Sequence, residues 1–406
     1  MTNKLPNGWG NKKLSEVSTV VMGQSPSSSS YNKNRVGLPL FQGKADFNEA
    51  LGIDPIDNWT DSPTKITEPG SILMSVRAPV GDVIFNKHKA CIGRGLASIK
   101  SKEGISQNYL YFYLTNKKEK IKEYSQGSTF SAINSRELKD LEIRLPSISQ
   151  QKKIAQILST VDDEIEKTEK IIERTEELKI GLMQQLFSKG LRHTKFKKTE
   201  LGEIPEKWEI VKMYKIADIT SSKRIYRSDY VQNGIPFYRS KEVIEKHKNK
   251  DVTIDLYISN EKFLELDQRF GSPKENDILL TSVGTLGIPY KVGANEKFYF
   301  KDGNLTWFRK ISSRVSPDFL YSWLTSNMAK NEFKKCTIGS SQPALTIIKL
   351  KNIKLRLPNF HEQIQIASIL SGVNDKIKIN QKIKMQLLQL KKGLMQDLLS
   401  GKKIIH

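Results

Sequence analysis

Ile154-Ala155-Gln156-Ile157-Leu158-Ser159 returns 212 residues later as Ile366-Ala367-Ser368-Ile369-Leu370-Ser371, and Gly181-Leu182-Met183-Gln184 returns at the same interval as Gly393-Leu394-Met395-Gln396. Aligned at that offset without a gap, residues 127–190 and 339–402 are identical at 27 of 64 positions. Each copy opens on Gly-Ser (Gly127-Ser128, Gly339-Ser340) and passes through Arg-Leu-Pro (Arg144-Leu145-Pro146, Arg356-Leu357-Pro358). It then enters a long proline-free segment. An internal repeat sets architecture before any single motif does, so the chain reads as one unit built twice.

Upstream the match thins to a framework. Pro6 and Trp9 correspond to Pro205 and Trp208, and Gly37-Leu38-Pro39-Leu40-Phe41 to Gly234-Ile235-Pro236-Phe237-Tyr238. Ile72-Leu73-Met74 corresponds to Ile278-Leu279-Leu280, and Tyr109-Leu110-Tyr111-Phe112-Tyr113-Leu114 to Phe319-Leu320-Tyr321-Ser322-Trp323-Leu324. Residues between these positions differ, which is what a common scaffold carrying two different surfaces requires.

The long segments carry a coiled-coil seam. From 150 to 188, Ile154, Leu158, Val161, Ile165, Thr168, Ile172, Thr175, Leu182 and Leu186 fall at alternating steps of four and three, with Lys179 in the stripe. The second copy begins likewise at Ile366, Leu370, Val373 and Ile377, then is read as drifting to Ile379, Ile383, Leu387, Leu390, Leu394 and Leu398 as a broader apolar face. A helix of about 39 residues is roughly 58 Å long and cannot leave such a stripe in water. Its mate is expected to be the other copy. Acidic flanks on the first (Asp162, Asp163, Glu164, Glu166, Glu169, Glu173, Glu176, Glu177) suit the lysines of the second (Lys376, Lys378, Lys382, Lys384, Lys391, Lys392). An antiparallel pair returns the chain to its first globular part, giving a dumbbell with a pseudo-twofold axis.

The globular parts read as mixed α and β. Short apolar runs at 71–76, 82–85 and 277–281, bounded by glycine and proline, are strands, and patches at 109–122 and 319–334 are helical. The expected class is therefore α+β, with two mixed domains (1–147 and 191–359, the latter entered by a linker at 191–203) and two long helices (148–190 and 360–406).

The 406 residues are 37% apolar and carry a net charge of +22. Segment 1–147 holds 20 basic and 14 acidic side chains and 191–359 holds 31 and 19, so most of the excess lies on the variable parts. Nucleic acid is the natural partner, because each phosphate neutralised releases condensed counterion; the competing reading is a basic surface kept for solubility. With no apolar window near 18 residues and no signal-like start, the expected location is cytoplasmic, away from any membrane. Cys91 and Cys336 stand apart without a metal-ligand spacing, and the five histidines (His88, His193, His247, His361, His406) are scattered, so neither a disulfide framework nor a metal site is expected.

These features resemble the specificity subunits of type I restriction-modification systems, in which two target-recognition domains are each followed by a helix of a conserved pair. The resemblance rests on Gly23-Gln24-Ser25-Pro26 with Tyr31, Arg77-Ala78-Pro79-Val80-Gly81-Asp82, and Gly127-Ser128-Thr129-Phe130 in the first half. In the second it rests on Lys223-Arg224-Ile225 with Asp229-Tyr230, Gly234-Ile235-Pro236-Phe237-Tyr238-Arg239, Gly303-Asn304-Leu305 and Gly339-Ser340-Ser341-Gln342. It covers essentially the whole chain, and the order domain, helix, domain, helix is more specific than any one motif. Arg77-Ala78-Pro79 against Val283-Gly284-Thr285 implies that the two targets differ.

The resemblance implies a non-catalytic reader of a bipartite, asymmetric double-stranded DNA target, serving DNA methylation and host defence. It would be held by two methyltransferase (modification) subunits, with motor-nuclease (restriction) subunits joining for cleavage. The cofactor S-adenosylmethionine is expected in the partner methyltransferase and none in this chain, and the helix pair would set the unread gap. Base readout calls for Arg or Lys at guanine, Asn or Gln at adenine, and hydroxyls or methyls elsewhere, on loops. The DNA-binding candidates are Gln24, Ser27, Tyr31, Gln42, Lys44, Arg77, Arg94 and Thr129, then Lys223, Arg224, Tyr226, Arg239, Lys241, Thr285, Asn304 and Gln342. No amino-methyltransferase motif, phosphate loop or dinucleotide fingerprint occurs in the sequence. A free-standing DNA-binding regulator, or a coiled-coil interaction protein with a protein or RNA partner, stays open at this point. A stoichiometric methyltransferase partner separates the first reading from both.

Overall fold

The computed structural model describes residues 6–125, 132–248, 250–337 and 343–405. The chain forms two compact units, one from residues 1–169 with 382–406 and one from 170–381. The long helices Ile148–Lys189 and Phe360–Ser400 each contribute one half to either unit.

In the first unit an antiparallel sheet runs in the order Ser18–Met22, Leu96–Ser101, Ile72–Ser75, Val83–Phe85. Its central strand shows why the sequence there is apolar without alternation. Ile72 and Met74 face a core shared with the helix Gln107–Asn116 and the long helices, while Leu73 faces a second core with Phe41, Phe47 and Ile92. A strand buried on both faces has no polar side to show. The second core is roofed by a sheet ordered Tyr31–Asn32, Trp59–Thr60, Leu38–Phe41, Ala90–Ile92, Ile66–Thr67, in which Leu40 pairs in parallel with Cys91.

The second unit repeats this plan. Its first sheet runs Asp218–Thr220, Leu305–Arg309, Ile278–Thr281, Pro289–Lys291, and Ile278 and Leu280 face one core while Leu279 faces another. The smaller sheet runs Tyr230–Val231, Tyr257–Ile258, Ile235–Tyr238, Tyr299–Phe300, again with one parallel pair. The linker after the first long helix forms a hairpin, Phe196–Thr199 with Gly202–Pro205.

Two glutamines at repeat positions tie the helices to their units in the same way. Gln151 Oε1 accepts the Ser106 N–H at 2.9 Å while its amide donates to Pro146 O at 2.9 Å. Gln363 Oε1 accepts the Ser316 N–H at 2.8 Å and its amide donates to Pro358 O at 2.9 Å. Both glutamines are buried, so each bond replaces water that the groups lost on folding.

The helix pairing is antiparallel. Within the first unit Lys391 Nζ lies 2.5 Å from Asp162 and Lys384 Nζ lies 2.7 Å from Glu169, one index falling by seven as the other rises by seven. Ile154, Ala155 and Leu158 meet Met395, Leu398 and Leu399 there. Within the second unit Met183, Leu186 and Phe187 share a core with Ile366, Ala367 and Leu370, each aliphatic or aromatic side chain worth about 1.5–3 kcal/mol of burial.

The sequence expectation of a drifting stripe in the second helix is corrected. Ile379, Ile383 and Leu390 are 59%, 40% and 50% exposed. The four–three spacing instead continues through Asn380, Lys384, Leu387, Lys391, Leu394 and Leu398, all buried or half-buried. Lysines at seam positions looked like breaks, but their ammoniums turn onto facing carboxylates and their stems stay in the seam. Each helical patch after the sheets is also two helices. Gln107–Asn116 is followed by Lys118–Ser125, and Pro317–Thr325 by Asn327–Thr337, where Ser326 Oγ caps the second helix through the Ala329 N–H at 3.2 Å.

Candidate nucleic-acid interface

In the first unit, five segments are laced by main-chain hydrogen bonds. Gln24 N–H donates to Ile92 O at 2.9 Å, Gly93 N–H to Phe41 O at 2.7 Å, and Gly95 N–H to Gln42 O at 3.0 Å. Val76 N–H donates to Gly95 O at 2.8 Å, Ile133 N–H to Val76 O at 3.0 Å, and Arg77 bridges Ala132. Gln24, Gln42, Arg77 and Arg94 thereby share one knot, and all four side chains are exposed. The approach at Gly23 demands glycine: a Cβ there would stand 2.1 Å from Gly93 O.

The second unit ties the same knot with other residues. Lys301 N–H donates to Tyr238 O at 2.8 Å, Ser282 N–H to Asn304 O at 2.8 Å, and Leu345 N–H to Ser282 O at 2.9 Å, while Val283 bridges Ala344. Ser221 Oγ donates to Leu305 O at 2.9 Å and accepts the Gly303 N–H at 3.3 Å. The loops carrying Lys223, Arg239, Thr285 and Asn304 are thus brought together, as are their counterparts in the first unit.

Both halves match one family model, described as the type I restriction modification DNA specificity domain, over residues 6–176 and 205–389. The chain belongs to that family. It is 30% identical over 359 residues to the type I restriction enzyme MjaVIII specificity subunit of Methanocaldococcus jannaschii, an alignment spanning 84% of this chain and 81% of that protein. To the MjaIX specificity subunit of the same organism it is 28% identical, spanning 98% and 94%. Among solved structures, the S subunit of a type I restriction-modification system from M. genitalium superposes with a TM-score of 0.58 at 18% identity, covering 97% of each chain. A structure described under complex assembly and conformational transition of the type I R-M system superposes at 0.61 and 16% identity, covering 98% of each. The fold of two specificity domains with long helices is shared across this distance.

Within the specificity-domain framework the candidate residues divide by electrostatics. Among the described residues, Arg77, Arg94 and Lys223 form no ion pair; Lys223 Nζ instead lies 4.8 Å from the Phe270 ring centre. Lys44 lies 2.9 Å from Asp82, which also meets Lys118. Burial pushes the Asp82 carboxyl up, but the two ammoniums outweigh it and hold it below the ordinary carboxylate range. Arg224 Nε donates to Asp302 at 3.0 Å, and Lys241 lies 2.9 Å from Asp255.

Arg239 is the most engaged. Its guanidinium lies 2.7 Å from Glu242, which is 0% exposed, and 2.7 Å from Asp255, and the Arg239 N–H donates to Glu242 at 2.7 Å. The Glu242 bond pushes the guanidinium pKa up against burial, and Asp255 adds to it. This candidate cation already has a buried partner within the chain.

The remaining candidates are placed as follows. Ser27 is exposed and shares a 2.8 Å hydrogen bond with Ser29, while Ser30 is buried on Thr60, so the serine run is a fixed turn at one end. Tyr31 OH donates to Pro26 O at 3.3 Å. Tyr226 is 65% exposed and Thr285 is exposed, whereas the Asn304 carbonyl is spent on Ser282 with its side chain half-buried. Thr129 and Gln342, with both Gly-Ser starts, lie outside the described residues.

Sequence reasoning missed the organisers Ser25, Asp46 and Glu242. Ser25 Oγ accepts the Arg94 N–H at 3.3 Å, and Asp46 accepts the Gln42 N–H at 2.5 Å, as Glu242 does for Arg239. A carboxylate three or four residues after a base-reading candidate is the signal that points to Asp46 and Glu242; Ser25 has no such signal. Cys91 is buried and Cys336 half-buried; among the described residues no group of three His, Cys, Asp or Glu suits a metal ion, and no helix is long and apolar enough to cross a membrane.

Proposed function

We propose that this chain is the DNA sequence-recognition subunit of a type I restriction-modification enzyme. Each loop knot reads one half of a bipartite, asymmetric target in double-stranded DNA, with the exposed side chains among Gln24, Ser27, Gln42, Arg77, Arg94, Lys223, Tyr226 and Thr285 as the contacting set. The long helices dock two methyltransferase subunits, which carry the S-adenosylmethionine chemistry, and their length sets the unread gap; motor-nuclease subunits join for cleavage. The chain itself supplies positioning and readout in the cytoplasm and no bond-breaking step.

One observation carries this reading: three main-chain hydrogen bonds and one bridge of the knot recur at repeat positions in both units, with different exposed side chains around them. A rigid frame presenting two unlike sets of donors is what direct readout of two unlike half-sites needs. The test is to express the chain with its host methyltransferase, map methylated positions, and repeat with Arg77→Ala and Lys223→Ala. Each substitution is expected to relax one half-site only, by about 1–3 kcal/mol of discrimination at the affected position. A chain that purifies without a methyltransferase yet binds DNA tightly would be a free-standing regulator instead.

A further inference from the structure

The second unit contains a cleft of about 1330 Å³ between the halves of the long helices that belong to it and the helices Ser240–His247 and Asn327–Thr337. Among the described residues, six lysines and no arginine line it, against three carboxylates. Lys179, at a seam position and half-buried, makes no ion pair among the described residues. Its repeat counterpart Lys391 has Asp162 at 2.5 Å, but the position equivalent to Asp162 is Asn374, which also lines the cleft. Lys330 and Lys378 line the same space, both exposed and without a carboxylate within salt-bridge distance among the described residues. The duplication has thus kept the half-buried cation and removed its anion.

We propose that this cleft holds backbone phosphates of the DNA duplex, outside the bases that the neighbouring loops read. The inference rests on the reading given under Proposed function. Three features favour phosphate over the carboxylates of a protein partner. Lysine ammoniums are point charges that meet a phosphate oxygen from any direction without fixing register, which suits contacts outside the bases that are read. The other polar lining is short hydroxyls and amides such as Ser371 and Asn374, the usual company of phosphate oxygens. The cleft also lies one short helix from the reading loops: Ser240–His247 starts beside Arg239 and ends at the cleft, eight residues or about 12 Å, which is three to four base pairs of duplex. Burial lowers the Lys179 pKa, and Lys330 and Lys378 lower it further against the pull of Glu176, so an entering anion relieves a standing electrostatic cost.

The test uses the complete complex with its methyltransferase subunits. Lys179→Ala, Lys330→Gln, Lys378→Gln and the triple variant are compared on a duplex carrying the mapped target and on a scrambled duplex of equal length, across roughly 50 to 200 mM salt. The triple variant is expected to weaken binding to both duplexes by the same factor and to flatten the log–log salt dependence by about two to three, with the methylated sequence unchanged. Circular dichroism and the two single glutamine variants at exposed positions control for folding. An unchanged salt slope overturns the inference, as does loss confined to the target duplex or loss of the methyltransferase subunits on co-purification. A wild-type complex with no preference for the target would instead sink the underlying reading.

Discussion

The Trp208 indole N–H donates to Glu362 Oε2 at 3.0 Å, while Oε1 of the same carboxylate accepts the Leu191 N–H at 2.9 Å and faces His193 Nε2 at 2.8 Å. One 5% exposed carboxylate thereby fastens the start of the second long helix to the chain leaving the first. At the repeat position Gln150 replaces the carboxylate; its amide donates to Ile405 O, and the buried Trp9 indole nitrogen has no partner among the described residues. Trp208→Phe is therefore expected to cost about 1.5–3 kcal/mol more than the volume loss alone, and Trp9→Phe only the volume loss. Chemical unfolding of both variants checks this, and equal costs would refute it.

The Asp162–Lys391 pair has side chains 34% and 20% exposed, so solvent screens it only in part. A double-mutant cycle with Asp162→Ala and Lys391→Ala is expected to give a coupling of about 0.5–1 kcal/mol that shrinks in high salt. A coupling near zero at low salt would make the pair incidental to the antiparallel register.

Arg239 and Arg77 should separate structure from readout. Arg239→Ala strands the buried Glu242 and is expected to destabilise the protein by about 2–3 kcal/mol, with recovery in the Arg239→Ala, Glu242→Gln double variant. Arg77→Ala touches no such partner and should stay within about 0.5 kcal/mol of the parent while relaxing the first half-site. Melting curves and methylation maps of the two variants together decide the matter.

Lys179 gives a pH signature with a definite sign. Its pKa is lowered in the folded chain, so the fold carries a penalty that is fully present below the lowered value and disappears as pH rises toward 10.5, the unfolded value. Lys179→Met is expected to raise the melting temperature at neutral pH, with the gain fading in that alkaline window. A gain that persists unchanged above it would point to packing rather than charge.

One heptad inserted after Lys170 and a matching one after Gln381 preserves the seam and adds about 10 Å to the pair. Methylome sequencing is expected to show the gap lengthened by about three base pairs with both half-sites intact. Altered half-sites with an unchanged gap would remove the helices from that role.

The duplication, the long helices and the short apolar strands were legible because apolar spacing is imposed by packing. That Ile72-Leu73-Met74 and Ile278-Leu279-Leu280 are buried on both faces appears only in the folded chain. The stripe of the second helix was misread where Lys384 and Lys391 occupy seam positions, because a one-letter reading cannot show an aliphatic stem inside and its charge on a facing carboxylate. Residue identity likewise shows nothing of the ion pairs of Arg239: its partner Asp255 is sixteen residues away, and only the folded chain brings it within 2.7 Å. Gln24, Gln42 and Arg94 were each found beside glycine, but their meeting depends on carbonyls that leave no trace in residue identity.

A frame of main-chain hydrogen bonds governs how such a reader changes its target. Peptide groups are the same in every residue, so a frame stitched from them is indifferent to the alphabet it displays. Substitutions at the tips can accumulate, or be exchanged between relatives, without unravelling the stitching beneath, and a new preference for DNA then arises at little structural risk.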